Sequence, residues 1–214
     1  MSVQIIVDST VDMPERMKDR FRIVPLTVHF GAEEFIDGVT IDKHRFYERL
    51  VESDELPTTS QASPAAFDAI FSDVASVGDS AVVVTLASKF SGTYQSACIA
   101  AAEYDNIYVV VSKSAAIGSG ILDGEIQVIG KARGSKQGNN LLVQKIHESG
   151  GIDFDEPIIL GYSGLSDSYL KKYVEDSRDI WQDKADSLDS TLICSVIGTH
   201  TGPGVVAVAF FKKG

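Results

Sequence analysis

Two stretches, "SAVVVTLA" (residues 80–87) and "NIYVVVS" (residues 106–112), are apolar without a break at their centres. A strand wet on one side alternates polar with apolar residues, because successive side chains point to opposite faces. Unbroken β-branched runs mark strands covered on both faces, as in the parallel sheets of α/β proteins. "VQIIVD" (residues 3–8) and "RIVPLTVHF" (residues 22–30) read as two further strands. Helical signals separate them. Ser63 followed by Pro64 is an N-cap and first-turn pair, and Phe67, Ile70, Phe71 and Val74 then recur at helical spacing.

The pattern continues past a glycine- and serine-rich stretch at residues 112–124. "NNLLVQKIHES" and "DSYLKKYVEDSRDIW" have amphipathic spacing, the latter through Leu170, Tyr173, Val174 and Trp181. They alternate with the strand-like "EPIILGY", "STLICSVIG" and "GVVAVAFF". The expected organisation is two α/β domains, residues 1–118 and residues 119–214, with a mainly parallel sheet in the first. "GKARGSKQGNN" reads as a basic, flexible approach to the second domain's first helix.

Composition removes several classes of function. A chain of 214 residues with 44% hydrophobic and 23% charged residues has the make-up of a globular protein rather than a disordered one. Its net charge of −11 opposes general attraction to nucleic-acid phosphates or an anionic leaflet. The longest apolar run, "GVVAVAFF", is too short to span a bilayer, so no stable membrane insertion is expected. "MSVQIIVDST" lacks the basic region of a signal peptide. Cys98 and Cys194 show neither metal-ligand spacing nor a disulfide framework, and read as buried thiols of a cytoplasmic protein without a metal site.

Chemistry gathers in four hydroxyl-bearing stretches. "KFSGTYQSA" places Ser91 and Gly92 on a strand-to-helix turn at the carboxyl edge of a sheet, where ligands of open α/β sheets bind. Unpaired N–H groups at a helix start favour an anion, while a serine there also serves simply as a cap. "DST" (residues 8–10) is a hydroxyl loop at the same edge, with Asx-turn chemistry as its plain alternative. "LPTTSQASP" stacks Thr58, Thr59 and Ser60 before the helix that Ser63 caps. "GTHTGPG" holds His200 in what reads as a turn between two strands, with glycines that allow close backbone approach. The chain has neither a G-x-S-x-G nucleophile elbow nor a phosphate-loop motif.

In order along the chain, "DSTVDMP", "PTTSQASPAAF", "SGTYQSA", "DGEIQVIGKARG" and "GTHTGPGVVAVAFF" resemble the DegV family of bacterial fatty-acid-binding proteins. The resemblance implies a long-chain fatty acid in a tunnel between two α/β domains, with no cofactor and no catalysis by the protein itself. It places the carboxylate on Thr59 and Ser91, with Ser60 and Gly92 beside them. His200 stands next to the carboxylate and Arg133 near the head group, presented to a fatty acid kinase. The connection between Ser112 and Asp123 is shorter here than in that family.

Two enzymatic alternatives remain on residues alone. One is a serine hydrolase or acyltransferase using Ser91 with His200, Asp8 orienting the histidine. The other is a phosphotransferase accepting phosphate on Asp8.

Overall fold

The computed structural model describes residues 2–112, 114–116 and 134–213. Strands β1 (Val3–Asp8), β2 (Arg22–Val24), β3 (Thr27–Phe30) and β4 (Glu33–Ile36) come first. Helix α1 (Lys43–Glu52), strand β5 (Thr58–Ser60), helix α2 (Pro64–Ser76), strand β6 (Ser80–Thr85), helix α3 (Thr93–Ala101) and strand β7 (Ile107–Val111) follow. The order β2-β1-β6-β7 makes a sheet with every pair parallel. The unbroken apolar runs thus lie in a parallel sheet, as expected.

"RIVPLTVHF" is not one strand. It divides at Pro25 into β2, in the parallel sheet, and β3, which centres a separate antiparallel sheet β4-β3-β5. Proline has no N–H to give to a ladder, and the chain changes sheets there. The hydroxyls of "PTTS" accordingly lie on β5, paired with β3 through Val28 opposite Thr59, rather than in a loop.

Helices α2 and α3 cover one face of the parallel sheet. Phe67, Phe71 and Ala97 pack on Ile6, Val24, Ala81 and Val83 in a core that also takes in Phe46 and Tyr47 of α1. Ser63 accepts from Ala66 N–H and caps α2, with Pro64 at the first helical position. Among the described residues the second face is covered only in part: Val7, Val11, Met13 and Val84 pack with Met17 and Phe21, whereas Val3, Ile5, Ile23, Tyr108 and Val110 are exposed.

The remaining elements are α4 (Gly134–Glu148), β8 (Ile159–Tyr162), α5 (Ser168–Asp176), α6 (Arg178–Trp181), β9 (Asp189–Leu192), α7 (Ser195–Thr201) and β10 (Val206–Ala209). They form a mixed sheet β10-β8-β9, in which β8 and β9 are parallel. A second core of Trp181, Tyr173, Leu160, Leu170, Ile146 and Ile152 lies against it. "GSKQGNN" is helical within α4 instead of a flexible approach.

"STLICSVIG" is likewise no single strand. β9 ends at Leu192, and Cys194 caps α7 by accepting Ile197 N–H on its sulfur at 3.5 Å. Gly202, at φ +72°, ends that helix with a positive φ that glycine adopts without steric cost. His200 therefore sits in the last turn of a helix and not in a loop between strands. Although late in the sequence, Cys194 and Val196 pack into the first core. Cys194 is fully buried as expected, whereas Cys98 is only half-buried.

Candidate functional site

Three elements of distant sequence meet at the carboxyl edge of the parallel sheet. β5 brings Thr59 and Ser60, the loop from β6 into α3 brings Ser91 and Gly92, and α7 brings His200. All five line one cavity of about 680 Å³. Its apolar lining comes from Leu26, Leu86, Phe90, Val196 and Ile197. Among the described residues lining it, His200 is the one side chain able to carry a charge. Arg133 lies outside the described residues.

The polar groups are arranged in pairs. Thr59 Oγ1 and His200 Nε2 are 3.0 Å apart, and His29 Nε2 and Ser60 Oγ are 2.8 Å apart. Ser91 Oγ lies 2.9 Å from Thr93 Oγ1 and accepts Thr93 N–H at 3.2 Å. Gly92 occupies the cap position of α3, so Ser91 shapes the turn just before the helix. A hydroxyl has one proton and two lone pairs. Either hydroxyl can be the donor in the Ser91–Thr93 pair; when Thr93 donates, the Ser91 proton is left for the cavity. Thr59 has the same freedom when His200 carries its proton on Nε2.

The pairing bears on the enzymatic alternatives. His200 bonds to Thr59 and Ser91 to Thr93, so the histidine and the serine have separate partners. Asp8 is fully buried. Its Oδ1 accepts Thr10 N–H at 2.9 Å and the Thr10 hydroxyl at 2.5 Å, and its Oδ2 accepts Leu86 N–H at 2.6 Å. The "DST" loop is an Asx-type turn that also staples β1 to the cavity-lining end of β6. Fully buried and outside the cavity lining, Asp8 is placed neither to orient His200 nor to attack a phosphate.

Sequence reasoning passed over Gln61, which lines the cavity and donates from Nε2 to Ser96 Oγ at 3.0 Å. Its signal was its place in "PTTSQ" next to two hydroxyls. It also passed over a buried polar cluster behind α7. There Lys43 Nζ donates to Asp12 Oδ1 at 2.5 Å and to the Leu192 carbonyl at 2.6 Å, while Asp12 Oδ2 accepts Cys194 N–H at 3.1 Å. Burial raises Asp12 to about 6, against the lowering effect of Lys43. Burial works to lower Lys43, and Asp12 with its neighbours more than offsets this, so the ammonium stays above its ordinary value. Asp8 and Asp37 are also raised, chiefly by burial. Asp37 Oδ2 and Ser195 Oγ are buried without a hydrogen bond of ordinary geometry among the described residues, although Ser9 and Ser195 lie near enough to lower Asp37 against its burial. Among the described residues no group of three or more His, Cys, Asp or Glu side chains is placed to hold a metal ion.

Fold and cavity together define the class: an α/β protein with an apolar, hydroxyl-ended cavity at the carboxyl edge of its parallel sheet. The model of the family described as "Uncharacterised protein, DegV family" matches residues 2–122 and 120–213, and the chain belongs to that family. It is 41% identical over 124 residues to a DegV domain-containing protein of Caldanaerobacter subterraneus, a match covering 56% of this chain and 44% of that protein. With a DegV domain-containing protein of Clostridium perfringens it is 26% identical over 283 residues, covering 99% of each. This chain has 214 residues, so that relative carries segments with no counterpart here. The two family matches overlap at residues 120–122.

Solved structures share the fold. A DegV family protein from Thermus thermophilus, described as fatty-acid-binding, superposes with a TM-score of 0.82 at 19% identity, over 97% of this chain and 98% of that one. A stearic-acid-binding protein from Eubacterium ventriosum gives a TM-score of 0.78 at 20% identity, over 96% and 97%. Among the described residues no helix is long and apolar enough to cross a membrane.

Proposed function

We propose that this protein binds a long-chain fatty acid, holding the carboxylate on Thr59 and Ser91 and the tail in the cavity beyond them. The observation that carries the reading is the convergence of donor hydroxyls from β5 and the β6–α3 turn at an otherwise apolar cavity, in a family with fatty-acid-binding members. A volume near 680 Å³ lies within the roughly 300–1,000 Å³ of small-ligand sites. Burying about fourteen methylenes at ~0.8 kcal/mol each yields ~11 kcal/mol before the cost of association, so the tail supplies affinity. The hydroxyls supply orientation. Ser60, Gly92 and the N-terminal end of α3 add polarity at the carboxylate end, and His200 fixes the Thr59 hydroxyl.

In this reading the protein is a cytoplasmic carrier that uses no cofactor, and its reactive partner is a fatty acid kinase. Arg133 would face that partner or the acyl phosphate. The two α/β domains, 1–118 and 119–214, would form a tunnel for the tail between them. A carboxylate ligand leaves Ser91 no ester carbonyl to attack, and the separate partners of Ser91 and His200 favour the carrier over the hydrolase.

Native mass spectrometry of gently purified protein should show a retained acyl chain near one per protein. Displacement of a fluorescent fatty acid should show Thr59→Val and Ser91→Ala each weakening binding by about 1–3 kcal/mol, the loss of a donor to a charged acceptor. Folded protein without an acyl chain, and with no affinity for one, sinks the reading. Hydrolysis of an ester substrate lost in both Ser91→Ala and His200→Ala would replace it with the hydrolase.

A further inference from the structure

Helix α7 brings His200 to Thr59, yet seven residues are too few to hold a helix by themselves. What fixes its position lies at the opposite end from His200. The three residues that enter the helix each bond to the first half of the chain through a main-chain group. The Leu192 carbonyl accepts from Lys43 Nζ, the Ile193 carbonyl accepts from the Tyr47 hydroxyl at 3.1 Å, and Cys194 N–H donates to Asp12 Oδ2. The Lys43–Asp12 ion pair closes the ring.

Asp12, from the loop after β1, is fully buried, and the Lys43 side chain, from the first turn of α1, is 24% exposed. A buried pair of this kind is a poor source of stability, but each charge is satisfied only in one geometry, so the pair fixes register. His200 lies six positions after Cys194, about 9 Å along a helix axis. Between them Gly198 lies so close to Phe46 and Tyr47 that no Cβ would fit. A shift at the entry to α7 is therefore carried along the helix to His200.

We propose that Asp12 and Lys43 are positioning residues of the fatty-acid site: their ion pair sets the placement of α7 and thereby the His200–Thr59 hydrogen bond at the carboxylate end of the cavity. The ligand in this inference rests on the fatty-acid reading above, but the geometry does not. Neither Asp12 nor Lys43 lines the cavity; in this proposal they act through His200.

The test uses the full chain, with the ring Cε1–H signals of its four histidines resolved by NMR and oleate affinity measured by fluorescent displacement. Lys43→Met strands a buried carboxylate and risks misfolding, so the decisive variant is the double Asp12→Asn, Lys43→Met, which removes both charges and keeps the shapes. In the double variant the His200 signal should move and oleate affinity fall about tenfold, while His147 on α4 keeps its position. Lys43→Arg should restore both. An unmoved His200 signal in the folded double variant overturns the proposal. So does movement of His147 together with His200, which would show general loosening instead of positioning. If wild-type protein has no affinity for oleate, the fatty-acid reading fails, and the His200 signal still decides the role of the ion pair.

Discussion

Gly92 lines the cavity, whereas Gly198 lies where α7 packs against Phe46 and Tyr47, and the two are small for different reasons. A Cβ on Gly92 would lie 2.1 Å from Gln61 Oε1, the free end of a flexible side chain. Gln61 has room to swing away, giving up Ser96. A Cβ on Gly198 would lie 2.5 Å from the Tyr47 hydroxyl and 2.9 Å from a Phe46 ring carbon, and both rings are fully buried. Rings in a packed core do not swing aside, so α7 itself must move. Gly198→Ala should therefore cost about 1–3 kcal/mol in urea denaturation, beyond the ~1 kcal/mol alanine returns in a helix, and weaken fatty-acid binding as His200 leaves Thr59. Gly92→Ala should change the cavity with less loss of stability. Equal destabilisation by the two variants would contradict this account.

What a segment becomes depends on whether its own residues or its neighbours decide. Helix α2 was legible because Ser63, Pro64 and the Phe67–Phe71 spacing all act within the segment. Ser63→Ala should accordingly cost about 1 kcal/mol in denaturation and leave fatty-acid affinity unchanged, since no α2 residue lines the cavity. A matching loss of affinity would show that α2 holds the site after all. α7 was not legible, because "STLICSVIG" is rich in β-branched residues that favour a strand. Its helix is imposed from outside by Asp12, Lys43 and Tyr47, residues 146 to 182 positions away. "RIVPLTVHF" misled in the opposite way: one apolar run hides a change of sheet at Pro25. The hydroxyls of the site were readable one by one in "PTTSQ" and "SGTYQ". The Thr59–His200 pair that joins two of the stretches was not, because spacing along a chain says nothing about which loop a short helix will face.

Across the whole molecule, the buried carboxylates make stability depend on pH in a direction opposite to ordinary acid denaturation. Asp12 is raised to about 6, and Asp8 and Asp37 are raised too, each chiefly by burial. Folding strengthens proton binding at these groups, so their contribution to stability is present below their unfolded values, near 4, and is lost as pH rises through the folded ones. The groups lowered on folding act elsewhere. Asp79 is lowered to about 2 by Ser2 and Gln4, Glu148 by Lys145 and Gln144, and Asp186 by Arg178. What these supply is intact above their unfolded values and fades only as pH falls below them. Between pH 7.5 and 5.5 the buried aspartates therefore decide the sign, and acidification also eases the self-repulsion of a chain with a net charge of −11. The thermal midpoint should be higher at pH 5.5 than at pH 7.5. Asp37→Asn, which neutralises a carboxylate that burial holds above its ordinary value, should raise the midpoint at pH 7.5 and shrink the difference between the two. Differential scanning fluorimetry of both proteins across that range measures it. A midpoint that falls on acidification from 7.5 to 5.5 would mean that the aspartate cluster is stabilised as charges in the folded protein, and that its burial is not what governs it.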